Sequence, residues 1–169
     1  MTDKEIIYRY LKDKISHQTF RKWLLSSRTL PELFKNDSKV LLDLADKFSK
    51  RAKINDILHK YIDKNEFDRY SIGLHLNEKC SPGQDPVDLI KNLNSIRILI
   101  SDSKLVNQIS QLDLATSNMP TLTEKPFWDP NIYESKRIDL KKLTPAIIAT
   151  YEKVKLYAQT NVGQEKNGT

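Results

Sequence analysis

Glycine is scarce in this chain and scattered: Gly73, Gly83, Gly163 and Gly168 are the only four in 169 residues. Neither a phosphate-cradling P-loop nor a G-x-G-x-x-G dinucleotide turn can be assembled from them. There is one cysteine, Cys80, which excludes an intrachain disulfide and suits a reducing cytosol. His75 and Cys80 would give two ligands to a zinc site that needs four, and no second pair exists. The other histidines, His17 and His59, have no serine, cysteine or carboxylate at a spacing that suggests a triad. No run approaches the roughly 18 apolar residues of a membrane span. The N-terminus, MTDKEIIYRYLKDK, lacks the basic-then-apolar layout of a secretory signal. These absences predict a cytoplasmic, non-catalytic protein with no metal, no cofactor, no small-molecule substrate and no membrane attachment.

What is present is charge. Charged residues make up 30% of the chain against 38% hydrophobic, with a net charge of +6. The surplus is uneven: residues 1–72 hold 16 Lys/Arg against 11 Asp/Glu, and residues 73–169 hold 12 against 11. A basic N-terminal half attracts acidic partners, nucleic acid included. A codon bias favouring Lys, Asn and Ile would give the same excess.

Thr2 with Glu5 forms a capping box for a first helix reaching about Ile15, and Ser16 caps a second that carries Phe20, Trp23 and Leu24. Residues 27–45 read as a hairpin, with strands at 27–30 and 40–45 around the polar tip Lys35-Asn36-Asp37-Ser38. Asp46 caps a long helix, about 47–63, with Phe48, Leu58 and Tyr61 at helical spacing. The segment 69–76 alternates at Tyr70, Ile72, Leu74 and Leu76, which predicts a strand with Ser71, Gly73 and His75 facing solvent. The expected fold is α+β, in the order α-α-β-β-α-β, with Phe20, Trp23, Leu44, Leu58, Tyr61, Ile72 and Leu74 in its core.

Residues 78–86, with two prolines and a glycine, mark a boundary. The expected organisation is an interaction domain over 1–77, a linker over 78–86, a mostly helical region over 87–160 and a disordered tail over 161–169. In the second region Asp85-Pro86 starts a helix, 96–100 reads as a strand, and Ser101 or Asp102 caps a helix over 103–113. The stretch 116–135 holds Phe127, Trp128 and Tyr133 in a docked loop, and Thr144-Pro145 starts a last helix.

Two segments resemble a known family. Ile15-Ser16-His17-Gln18-Thr19-Phe20-Arg21-Lys22-Trp23-Leu24 is similar to the "L-P-x-x-x-F-x-x-W-I/L" pattern of the N-terminal domain of the bacterial replication initiator DnaA. Leu41 to Phe48 is similar to that domain's strand-then-"P-N/D-x-F" junction. The resemblance covers about residues 4–76. It implies a KH-like module without catalysis that recruits the replicative helicase and regulators, with Phe48 at the helicase-facing position. No such resemblance extends to residues 85–160.

Two main functions follow as expectations. One is an adaptor in replication initiation or its regulation, binding a helicase, an initiator, a regulator or itself through Phe48, with Lys47 and Arg51 as rim charges. The other is a basic nucleic-acid-binding regulator holding phosphates through Lys47, Lys50, Arg51 and Lys53. In a third, the helix over 145–159 pairs with a copy of itself.

Overall fold

The computed structural model describes residues 2–26, 38–46, 50–81, 83–117, 119 and 130–159. Among them every regular element is a helix. The expected α+β, KH-like architecture is therefore corrected, because the described segments read as strands are helical. The described helices are α1 (Asp3–Leu11), α2 (His17–Ser26), α3 (Ser38–Ala45), α4 (Arg51–Leu58), α5 (Lys64–Lys79), α6 (Pro86–Ser95), α7 (Ser103–Thr116) and α8 (Pro130–Gln159), with a 3-10 turn at Arg97–Leu99.

The chain divides into two compact units, Met1–Phe67 and Asp68–Thr169. The division falls inside α5, earlier than the boundary expected at 78–86. The tail 161–169, the expected strand at 27–30, and Phe127 and Trp128 lie outside the described residues.

In the first unit, α1 packs on α2, α2 on α3 and α3 on α4. The core takes Ile7, Tyr8 and Tyr10 from α1, Phe20 and Leu24 from α2, Leu44 from α3, and Ile54, Ile57 and Leu58 from α4. Tyr10 and Phe20 stack with centroids 4.0 Å apart, and Trp23 is tilted against Phe20 at 5.4 Å. Thr2 Oγ1 accepts from Glu5 N at 3.2 Å and Ser16 Oγ from Thr19 N at 3.1 Å, so both N-caps form, while the Glu5 carboxylate pairs with Arg9 at 3.0 Å. Helix α1 stops at Leu11, short of the expected Ile15, and Asp13 follows in the left-handed region at φ 57°.

Residues 40–45, expected as the second strand of a hairpin, are helical, and burial shows the difference. Leu42 is 71% exposed while Leu44 is fully buried. A strand would put these two on the same face, whereas a helix separates them by about 200°. The run also contains one β-branched residue among good helix formers. The long helix expected over 47–63 is described only as α4. It ends at Leu58 in tight turn bonds from Lys60 N to Ile57 O and Tyr61 N to Leu58 O, which turn Tyr61 out of the core.

The strand expected at 69–76 is the middle of α5. Asp63 Oδ1 accepts from Glu66 N at 2.8 Å and starts the helix. Ile72 and Leu76 are buried four apart, Ser71 is buried rather than solvent-facing, and Tyr70 and Leu74 are half-buried.

The second unit closes around one core. Ile72 and Leu76 of α5 join Val87, Leu89, Ile90 and Leu93 of α6, Leu105, Ile109 and Leu112 of α7, and Leu140, Ile147, Tyr151 and Val154 of α8. Helices α6, α7 and α8 pack on one another. Asp85 and Asp102 cap α6 and α7 as expected, accepting from Val87 N and from Lys104 N and Leu105 N. The strand expected at 96–100 is corrected too: Ile96 and Ile100 are buried, but Ile98 between them is 84% exposed on the 3-10 turn.

Pro145 does not start the last helix but lies within α8. Its missing N–H frees one carbonyl, and a buried inner face offsets the loss. Leu140, Ile147 and Val154 recur every seven residues on that face.

A direct check of α5 is available at Gly73, where an added Cβ would meet nothing within 4 Å. Gly73→Ala should raise unfolding stability by about 0.5–1 kcal/mol, and Gly73→Val should raise it less. Urea denaturation ranking Val above Ala would mean the segment is a strand.

Candidate partner-binding surface

The surface predicted for the start of the long helix is partly internal. Lys47 and Phe48 lie outside the described residues. Arg51 is turned inward: its Nη2 donates to the Tyr10 carbonyl, pairs with Asp13 Oδ1 at 2.7 Å, and its guanidinium lies 4.4 Å from the Tyr10 ring centroid. Tyr10 O is one of the last carbonyls of α1, which no intrahelical N–H can satisfy in full. Arg51 therefore caps one helix from the first turn of another. Lys53 pairs with Asp43 at 2.7 Å, tying α4 to α3. Lys50 is exposed at the N-cap of α4.

Around Arg51 the polar groups are matched in a similar way. Tyr10 Oη and His17 Nδ1 are 2.9 Å apart. Burial pushes the Tyr10 hydroxyl pKa up. Burial, then the Arg21 and Arg51 charges, hold His17 below its ordinary value. His17 therefore joins α2 to α1.

In the second unit His75 Nε2 lies 3.2 Å from the Asn92 carbonyl and 3.3 Å from Ser95 Oγ, and Ser95 Oγ donates to that same carbonyl at 2.7 Å. Asn92 Nδ2 donates in return to Lys79 O at 2.8 Å. Each helix end thus satisfies the other's free carbonyl. Ser95 Oγ and His75 Nε2 converge on the same Asn92 carbonyl. Burial is the main cause that lowers the His75 pKa. Burial also raises the Cys80 thiol pKa. Among the described residues no group of three His, Cys, Asp or Glu side chains could hold a metal.

The described surface of the first unit also presents large apolar side chains. Leu25 on α2 is 70% exposed, and Leu42 on α3 is exposed to the same degree. The helices that carry them pack together. Both leucines fall in or beside the two segments that resemble the initiator domain. The hairpin reading hid Leu42, because it assigned residues 40–45 to a strand. A helical wheel over 38–45 would have set Leu42 opposite Leu44. Phe20, Leu44, Leu58 and Ile72, expected in the core, are buried, while Trp23 and Leu74 are half-buried. Comparison of the chain with protein-family models, curated proteins and solved structures finds no match.

Two measurements test this arrangement. Arg51→Met should cost about 1 kcal/mol of stability, the worth of a charged hydrogen bond to a helix end. Asp13→Ala, at an exposed carboxylate, should cost well under that. Equal losses in denaturant unfolding would show that Arg51 works only as half of an ion pair. The histidines give the second test. Both have folded pKa values below the ordinary 6.5, so below pH 6.5 the unfolded chain binds more protons. Stability is therefore complete above 6.5 and falls as pH drops towards the lowered folded values. Unfolding followed between pH 7.5 and 5 should show that loss, and His17→Gln with His75→Gln should flatten it.

Proposed function

We propose that this chain is a non-catalytic, cytoplasmic adaptor whose first unit docks a protein of replication initiation or of its regulation. The observation that carries the docking role is the exposure of Leu25 and Leu42 on two adjoining helices. Apolar side chains of this size, held out on a rigid support, supply a contact with little ordering cost. The partner class rests on the residue pattern of 15–24 and 41–48 alone. The strands of a KH-like fold give it no support. Phe48 and Lys47 are assigned to docking by their place in that pattern alone. Arg51 fixes α4 against α1.

The nucleic-acid reading has less to draw on. Of Lys50, Arg51 and Lys53, the last two already pair with carboxylates. Neutralised cations release few counterions on binding. No helix among the described residues is long and apolar enough to cross a membrane.

The test uses purified replicative helicase and initiator from the same genome in calorimetric titration. Leu42→Asp and Leu25→Asp, at exposed positions, should leave the fold intact and weaken binding about tenfold or more. Full affinity in both folded variants would remove this surface. Binding of single-stranded DNA that falls steeply with salt, and is lost in Lys50→Ala, would favour the second reading instead.

A further inference from the structure

Helix α8 carries a second seam, on the side opposite its buried one. Positions 138, 142, 145, 149, 152 and 156 are spaced alternately by four and three, the repeat of a coiled-coil contact. All six are exposed, including Ile138 at 46% and Leu156 at 62%. In order they read Ile, Lys, Pro, Ala, Glu, Leu. Large apolar residues stand at the ends, small ones in the middle, and opposite charges between.

This order is complementary to its own reverse. Laid antiparallel against a second copy, with a two-fold axis beside residue 147, Ile138 meets Leu156 of the second copy. Lys142 then meets Glu152, and Pro145 meets Ala149, each contact occurring twice by symmetry. The small central pair lets the helices come close. Ile148, also exposed, meets its own counterpart near the axis, and Asp139 and Lys153, which within one copy hold Lys142 at 3.1 Å and Gln108 at 3.2 Å, come within reach of each other across the seam.

The unfavourable pair is Lys141 with Lys155. Lys155 already lies 3.7 Å from its own Glu152, and both lysines can turn to water. A parallel pairing is worse, because it sets Lys142 on Lys142 and Glu152 on Glu152 within the seam.

We propose that the chain self-associates as an antiparallel two-fold dimer through this outward seam, the occupant being a second copy. The proposal does not depend on partner docking by the first unit. The seam spans about 27 Å at 1.5 Å per residue. That length places the dimer among weak, concentration-dependent associations.

Sedimentation velocity from micromolar to near-millimolar concentration should show a monomer–dimer equilibrium. Glu152→Lys should weaken it about tenfold or more, since each copy then meets like charge twice. Adding Lys142→Glu should restore it. Because both positions are exposed, unchanged circular dichroism and melting are expected throughout. With Cys80→Ser in place, Ile148→Cys should form a disulfide-linked dimer with itself under mild oxidation. Leu156→Cys should cross-link only when mixed with Ile138→Cys. A monomer at every concentration, an unaltered Glu152→Lys dimer, or self-linking of Leu156→Cys would each overturn the proposal.

Discussion

Leu140, Ile147 and Val154 recur every seven residues along α8, and on that inner stripe the second unit is assembled. Helices α6 and α7 both pack against α8 and against each other, so the stripe is where three apolar faces meet. Each fully buried aliphatic side chain is worth about 1.5–3 kcal/mol. Together they outweigh the cost of a proline inside a helix, about 3 kcal/mol. Thr144 Oγ1 and Thr150 Oγ1 also donate back to Leu140 O and Ala146 O, at 2.9 and 2.8 Å, on either side of Pro145. The interruption is therefore carried by a helix whose neighbouring turns are already fixed.

Away from the cores, side chains bonded to the ends of other elements do much of the fixing. Arg51 satisfies the end of α1, His75 the end of α6, Asn92 the end of α5, and Tyr157 Oη accepts from Ser101 N ahead of α7 at 3.0 Å. A helix end leaves several backbone groups without partners, and short connections bring few waters or caps to them. Long polar side chains from sequence-distant helices fill that role. The consequence for function is direct. Groups that would serve chemistry or phosphate binding, two histidines and two cations, are occupied within the fold. Lys50, Leu25 and Leu42 stay exposed in the first unit.

Helix starts were the legible part of the sequence. Thr2, Ser16, Asp85 with Pro86, and Asp102 each cap the helix expected of them, because a cap is a local matter of one oxygen and one or two N–H groups. Much of the core was legible as well, since Phe20, Leu44, Leu58 and Ile72 are apolar in either fold. The strands were not. Ile72 and Leu76 are four apart, a separation that fits both a period of 2 and a period near 3.6. Only the residues between them distinguish the two, and Leu74 is neither fully buried nor fully exposed. The pattern Asp63-x-x-Glu66 ahead of this run was the deciding signal, a helix-start signature lying just outside the window of alternation. At Ile96–Ile100 the same ambiguity arose, and Ile98 pointing outward resolves it.

Taken alone, the sequence determined where several helices begin, and with four scattered glycines and one cysteine it holds no phosphate-loop motif and no intrachain disulfide. Such features depend on residue identity within a few positions. Tertiary structure decided which leucines face out, which cations are spent on carboxylates, and that α8 has one covered stripe and one bare one. Those outcomes depend on which surfaces meet across long sequence separations, and burial, unlike capping, is a property of the assembled neighbours rather than of the residue.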